Sequence, residues 1–278
     1  MGACDTCSSK ETCNSKKEGS CTRLLPAQGK IKNIIGIISG KGGVGKSTVT
    51  GLTAIELTKQ GYKVGVLDAD ITGPSMPRFF GLQEKRATGI AGEKEKQLIF
   101  QPVISTSGIK IMSLNFLTEV EDEPVIWRGP VITGVLNQMF SDTAWGELDY
   151  LLIDMPPGTG DIALTVMQTF PLTSIMIVST PQDMVSMIVK KVVIMAEKLN
   201  VPILGVVENM SYIQCGNCQE KTRIFSKKTA KEQAQYLGLP LIAELPIDMD
   251  LTESMENGEV ERYIFNTSKY KNIISKIV

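Results

Sequence analysis

Five short apolar runs rich in β-branched residues punctuate the chain, at 34–39, 64–67, 150–153, 174–178 and 203–207. None alternates polar with apolar positions, the pattern of strands covered on both faces, as in a parallel sheet. Between them the period changes. Over 46–60, Val49, Leu52, Ile55 and Leu57 share one apolar side and Gly61 supplies a stop, which predicts a helix. Strand alternating with helix gives βαβ units. The expected fold is therefore α/β, one doubly wound and mostly parallel sheet with helices on both faces. Residues 84–97 are charged and glycine-containing and read as a solvated excursion without a function. Residues 1–29 hold four of the six cysteines among polar side chains, with almost nothing apolar before Leu24, and read as a flexible tail. Residues 30–278 make up the domain. At its end, Ile273, Ile274 and Ile277 predict a modest amphipathic helix packed on that domain.

Composition narrows the chemistry. With 278 residues, 42% hydrophobic and 21% charged, the chain can bury a full core without disulfides. Its 29 basic and 30 acidic side chains give no overall pull toward nucleic acid or anionic lipid, so neither is an expected partner. No apolar run approaches the roughly 18 residues that span a bilayer, and the polar N-terminus does not resemble a secretory signal. The expected compartment is the cytoplasm. Histidine is absent from the sequence, which excludes Ser-His-Asp, Cys-His and His-zinc chemistries. Carboxylates, lysines, thiolates, metal ions and backbone amides remain. Phosphoryl transfer suits that set, since it depends on positioning and charge neutralisation.

The first strand runs directly into Gly40-Lys41-Gly42-Gly43-Val44-Gly45-Lys46-Ser47-Thr48 and then the predicted helix. This satisfies G-x-x-x-x-G-K-[ST] in a strand-loop-helix setting, where glycines let backbone N–H groups turn inward around phosphates. Lys46 is placed to neutralise the β and γ phosphates and Ser47 to ligate magnesium. Two acidic segments close later strands. Asp154 reads as a carboxylate that holds magnesium through water. Of Asp68 and Asp70, one is expected to face the metal while the other reaches the attacking water.

With its extra Lys41, the loop resembles the deviant P-loop of the MinD-type ATPases. Longer segments narrow the likeness: Asp68-Ala-Asp-Ile-Thr-Gly-Pro-Ser75, Val125-Ile-Trp-Arg-Gly-Pro130, Trp145-Gly-Glu-Leu-Asp-Tyr150, Asp154-Met-Pro-Pro-Gly-Thr-Gly-Asp161 and Glu208-Asn-Met-Ser211. These resemble the Mrp family of iron-sulfur cluster carrier ATPases over residues 30–265. The resemblance implies a homodimer that binds MgATP, hydrolyses it slowly, and passes a cluster to apoprotein acceptors in company with cluster-assembly proteins. It implies that Lys41 reaches the partner's nucleotide while Lys46 acts in cis, that Asp70 positions the hydrolytic water, and that Asp68 and Asp154 belong to the magnesium shell. It places the backbone of 158–160 at the γ-phosphate and Asn209 beside the adenine. The guanine-reading N-K-x-D motif does not occur, which favours ATP.

Cys215-Gly-Asn-Cys218 lies where that family carries its cluster-binding pair. Two thiolates are half of what a tetrahedral zinc or an iron-sulfur cluster takes, and a two-fold dimer would complete a four-thiolate site on its axis. That arithmetic agrees with the family's bridging [4Fe-4S] cluster. A structural zinc, a redox dithiol and an unliganded pair are the competing readings. Cys4, Cys7, Cys13 and Cys21 supply four thiolates within one tail, enough for a second cluster. Their C-x2-C-x5-C core resembles the N-terminal cluster segment of the family's eukaryotic members, although the fourth cysteine there lies upstream and here lies downstream. Met1-Gly2-Ala3-Cys4-Asp5-Thr6 also fits an acylation pattern, but the cysteine series accounts better for the same residues. Two other functions fit the loop: a partitioning or cell-division ATPase acting on DNA or membrane, and a zinc-bridged ATP-dependent scaffold.

Overall fold

The computed structural model describes residues 24–71, 73–91, 98–118 and 129–278. The four N-terminal cysteines, Thr72 and most of the 125–130 segment lie outside them. The chain order begins with β1 (Gln28–Ser39), α1 (Lys46–Lys59), β2 (Val64–Asp68), α2 (Met76–Phe79), the hairpin β3 (Thr88–Ala91) and β4 (Leu98–Gln101), β5 (Val103–Ile104) and β6 (Lys110–Met112). It continues with α3 (Gly129–Ser141), β7 (Ala144–Asp154), α4 (Asp161–Thr169), β8 (Ser174–Ser179), α5 (Asp183–Lys198), β9 (Ile203–Gln214) and β10 (Lys221–Thr222). α6 (Ala230–Tyr236), β11 (Leu241–Pro246), α7 (Met249–Glu256) and α8 (Val260–Phe265) complete it.

Among the described residues nine strands form the central sheet, in the order β10-β9-β8-β1-β7-β2-β6-β5, with β11 also paired to β9. The pairs are parallel except β10 with β9 and β5 with β6. Every residue of β2 and β8 is buried. Successive strand side chains point to opposite faces, so helices and connections cover both sides of the sheet, as the unbroken apolar runs require. The chain leaves β1, forms β2 beyond β7, and later returns to set β8 on the other side of β1. That reversal opens a crevice beyond the carboxyl end of β1, where open α/β sheets bind ligands.

Three strands run further than their apolar runs. β1 begins at Gln28 and β7 at Ala144 because their polar halves pair with each other, Ile31 opposite Leu148 and Asn33 opposite Tyr150, and Lys32 Nζ meets Asp149 Oδ1 at 2.7 Å. β9 continues seven residues beyond the expected 203–207 and leaves the buried sheet for an exposed hairpin. The stretch read as a solvated excursion contains β3, which is exposed throughout, while 92–97 lie outside the described residues. α1 stops as expected, with Gly61 at φ 88 reversing the chain where a side chain would be strained.

The C-terminal segment packs on the domain through buried Ile273 and Ile274, but as a 3-10 turn over Lys271–Ile274 in place of an α-helix. Asp248 anchors it. Its Oδ2 accepts hydrogen bonds from Tyr263 Oη and Tyr270 Oη, both at 2.7 Å, and from Lys269 Nζ at 3.0 Å. Burial alone would raise the Asp248 pKa, yet these donors outweigh it and hold the carboxyl below its ordinary value. A depressed folded-state pKa contributes stability that is present above the unfolded value, near pH 4, and is lost as pH falls through the folded one. Asp248→Asn is expected to lower stability at pH 7 by about 1–3 kcal/mol. The difference from wild type should narrow in urea titrations at pH 3.

Candidate functional site: a phosphate loop and an exposed cysteine pair

The loop between β1 and α1 keeps the shape its glycines predict. Gly43 and Gly45 hold φ near 78° and 77°, and Gly45 is the residue from which α1 starts. A Cβ on Gly45 would lie 2.2 Å from Asn209 Nδ2, so both the left-handed backbone and the available space demand glycine. Ser39, at the end of β1, donates from Oγ to Lys41 O at 2.9 Å and closes the entry to the loop. Gly42, Gly43 and Thr48 complete the turn and the first turn of α1.

Asp154, fully buried at the end of β7, is the hub of the site. Its Oδ1 accepts from Lys46 Nζ at 2.8 Å and from Thr50 Oγ1 at 2.8 Å, and its Oδ2 accepts from Ser47 Oγ at 2.6 Å. Thr50 was not among the residues expected at the site. It lies one helical turn beyond Lys46, and that spacing was the signal for it. A hydroxyl and a carboxylate side by side form the hard oxygen set that suits magnesium, so Ser47 and Asp154 fit that ion.

The two aspartates divide because β2 ends at Asp68, which frees Asp70 from the strand's alternation. Asp70 Oδ2 stands 3.5 Å from Lys46 Nζ and faces the loop. Asp68 turns inward. Its Oδ2 accepts from the amides of Ser75 and Met76, at 3.0 and 3.1 Å, and from Ser113 Oγ at 3.1 Å, while Oδ1 accepts from the Asp70 amide at 3.3 Å. Burial, with the Asp154 charge adding to it, pushes the Asp68 pKa up to about 7. Its carboxylate thus fixes the turn that presents Asp70. Ser113 follows β6 directly, distant in sequence from Asp68, and nothing local marked it.

Three further expected positions surround the loop. Lys41 Nζ donates to Gln182 Oε1 at 3.1 Å, at the start of α5. Gly158 donates its amide to Ser39 O at 2.7 Å, which sets the 158–160 turn against the end of β1. The Asn209 side chain, nearly buried, donates from Nδ2 to Val44 O at 3.0 Å and braces the phosphate loop.

The cysteine pair sits at the tip of the β9–β10 hairpin. Lys221 and Thr222 pair with Gln214 and Ile213, Cys215 N donates to Glu220 O, and Gln219 N donates to Cys215 O with Gln219 at φ 61. Both cysteines are exposed and unpaired by disulfide. The Cys218 and Asn217 amides and the Cys218 thiol point at the Cys215 sulfur and lower its pKa, favouring the thiolate that binds metals. Among the described residues no group of three or more Cys, Asp or Glu side chains is arranged to hold a metal ion, so this hairpin offers two ligands per chain. No helix among the described residues is long and apolar enough to cross a membrane.

A glycine loop joining a central parallel strand to a helix, with its lysine on a strand-end aspartate, makes this a P-loop NTPase. The chain belongs to the NUBPL iron-transfer P-loop NTPase family, whose ParA model matches residues 30–278. It is 64% identical over 280 residues to an iron-sulfur cluster carrier protein of Clostridium perfringens, with 98% of each chain covered. It is 42% identical over 285 residues to one of Methanocaldococcus jannaschii, spanning 100% of this chain and 96% of that one. Among solved structures, a nucleotide-binding protein from Archaeoglobus fulgidus in complex with ADP, with cobalt found, matches at TM-score 0.74 and 44% identity, over 86% of this chain and 90% of that one. The cell division ATPase MinD of Pyrococcus furiosus shares the fold at TM-score 0.59 and 21% identity, over 88% and 98% of the two chains.

Proposed function

We propose that this chain is an ATP-dependent iron-sulfur cluster carrier that holds a [4Fe-4S] cluster between two copies of itself and passes it to apoproteins. One observation carries the reading. The strand that braces the phosphate loop through Asn209 runs on, past a bulge at Met210, into the hairpin bearing Cys215 and Cys218, so one element serves both sites. The two carrier proteins named above are similar over nearly the whole chain.

In this reading Lys46 and the loop amides grip the β and γ phosphates of ATP, and Lys41 leaves Gln182 to reach the nucleotide of the partner subunit. Asp70 orients the attacking water. Ser47 and Asp154 hold magnesium, which neutralises phosphate charge when bound; Asp68 supports that shell from behind. Asn209 sets the loop from below, against the adenine side of the site. Hydrolysis is slow and serves as a conformational control. The cluster is cargo, held by two thiolates from each copy, and its release is ligand exchange, with acceptor thiolates displacing those of Cys215 and Cys218 and no net oxidation. Cys4, Cys7, Cys13 and Cys21 hold a second cluster within each tail.

The test is anaerobic reconstitution of the full-length chain with iron and sulfide, reading absorbance near 400 nm, iron per dimer and zinc. Wild type should gain a brown chromophore and bind iron at both sites. Cys215→Ser/Cys218→Ser should lose the bridging share and keep only iron that disappears when the four tail cysteines are also replaced. Zinc in place of iron, or ATP binding and dimerisation with no iron at all, would overturn the reading.

A further inference from the structure

We infer that Ser211, Glu244 and Arg223 are positioning residues that transmit the state of the phosphate loop to the cysteine hairpin. The inference rests on the carrier reading and adds the route by which nucleotide would alter the grip on the cargo.

The route begins with a fault in β9. Met210 adopts φ 52, a left-handed conformation uncommon for a residue with a side chain, and the pairing with β11 slips there: Glu208 faces Glu244, but Tyr212 faces Pro246. Four steps on β9 thus match two on β11. Such a bulge redirects side chains, and strained backbone of this kind gathers at functional sites. Here it turns Asn209 to the phosphate loop and Ser211 back toward its own strand's Glu208.

Ser211 Oγ lies 2.7 Å from Glu208 Oε1 and 2.7 Å from Glu244 Oε1, and Arg223 Nη2 donates to the same Glu244 oxygen at 2.6 Å. Ser211 and Glu208 are buried. A serine hydroxyl has one proton, so it cannot donate to both carboxylates; the contacts close as a chain if Glu208 keeps its proton, donates to Ser211, and Ser211 donates to the Glu244 carboxylate. The direction in which burial shifts Glu208, upward, agrees with that assignment. Arg223 follows β10 directly and is five residues beyond Cys218. Lys221 reinforces the same end, with Nζ 3.8 Å from Glu244 Oε2 and 4.0 Å above the Tyr212 ring. The hairpin is therefore pinned by charge to a carboxylate whose other partner is two residues from the side chain holding the phosphate loop. A shift of the loop at Val44 moves Asn209, the bulge, and with it the donor on Glu244.

The readout is the reactivity of the hairpin itself. Full-length reduced protein is treated with iodoacetamide in MgADP or in MgATP, and alkylation of the 215–218 peptide is followed by mass spectrometry, separately from the tail cysteines. Wild type should show rates that differ about fivefold or more between the two nucleotides, the lower range of coupling between linked sites. Arg223→Gln and Ser211→Ala should bring the two rates together without changing ATP affinity, and Ser211→Thr, which keeps the hydroxyl, should restore the difference. Unchanged ratios in Arg223→Gln and Ser211→Ala would overturn the inference, as would a wild-type ratio of one. Reconstitution of the same samples separates the two claims: iron at the cysteine pair with a flat ratio refutes the route and spares the carrier reading, whereas a nucleotide-dependent ratio that needs Arg223, without iron, supports the route and refutes the carrier.

Discussion

Replacing Lys46 with alanine is expected to slow ATP hydrolysis by roughly 10²- to 10³-fold, the usual loss when one preorganised donor to developing phosphate charge is removed. The ammonium is held 2.8 Å from Asp154 Oδ1 and 3.5 Å from Asp70 Oδ2, so its position is set before any phosphate arrives. Because the pair is buried, the same substitution has a second, separable effect. It leaves the Asp154 carboxylate with only the Ser47 and Thr50 hydroxyls for donors. Removing one partner of a buried ion pair costs about 3–5 kcal/mol, which urea denaturation of the nucleotide-free protein should reveal. Lys46→Arg should not restore hydrolysis, since a planar fork cannot take the place of a point charge in so confined a loop. Phosphate release within about threefold of wild type would contradict the role given to Lys46.

Cys215→Ser alone is expected to remove the whole bridging cluster, as completely as the double substitution does. The physical reason is symmetry. A site on a two-fold axis takes the same residues from both copies, so one substitution deletes two of its four thiolates. A cluster held within one chain would instead lose a single ligand. Cys215 is also the sulfur at which the Cys218 and Asn217 amides converge, so its loss removes a thiolate that those donors favour. Iron and sulfide per dimer, measured beside a variant lacking the tail cysteines, report the bridging share directly. Retention of half or more of that share by Cys215→Ser would exclude a symmetric four-thiolate site.

Much of this protein was legible without its structure because its strongest signals are local. The unbroken apolar runs marked the buried strands, and the period of 46–60 marked the helix; Gly40 to Ser47 marked the loop between them, since a glycine loop around phosphates is a matter of adjacent residues. Where signals were polar or divided between distant segments, the sequence was silent. The first halves of β1 and β7 look like loops, because only each other's backbone makes them strands. β6 and β11 are too short or too mixed to declare themselves.

Sequence by itself determined the doubly wound α/β class, the nucleotide loop, the exclusion of histidine chemistry and the two groups of cysteines. The tertiary structure decided which aspartate faces the loop, because Asp68 is drawn inward by the amides of Ser75 and Met76 and by Ser113, leaving Asp70 beside Lys46. It also decided that Asn209 braces the phosphate loop, and that Glu208, Ser211, Glu244 and Arg223 meet. Those contacts depend on a bulge in β9 and on strands brought alongside it from later in the chain, and register between distant strands is fixed by packing and backbone pairing, not by the residues on either side of any one position.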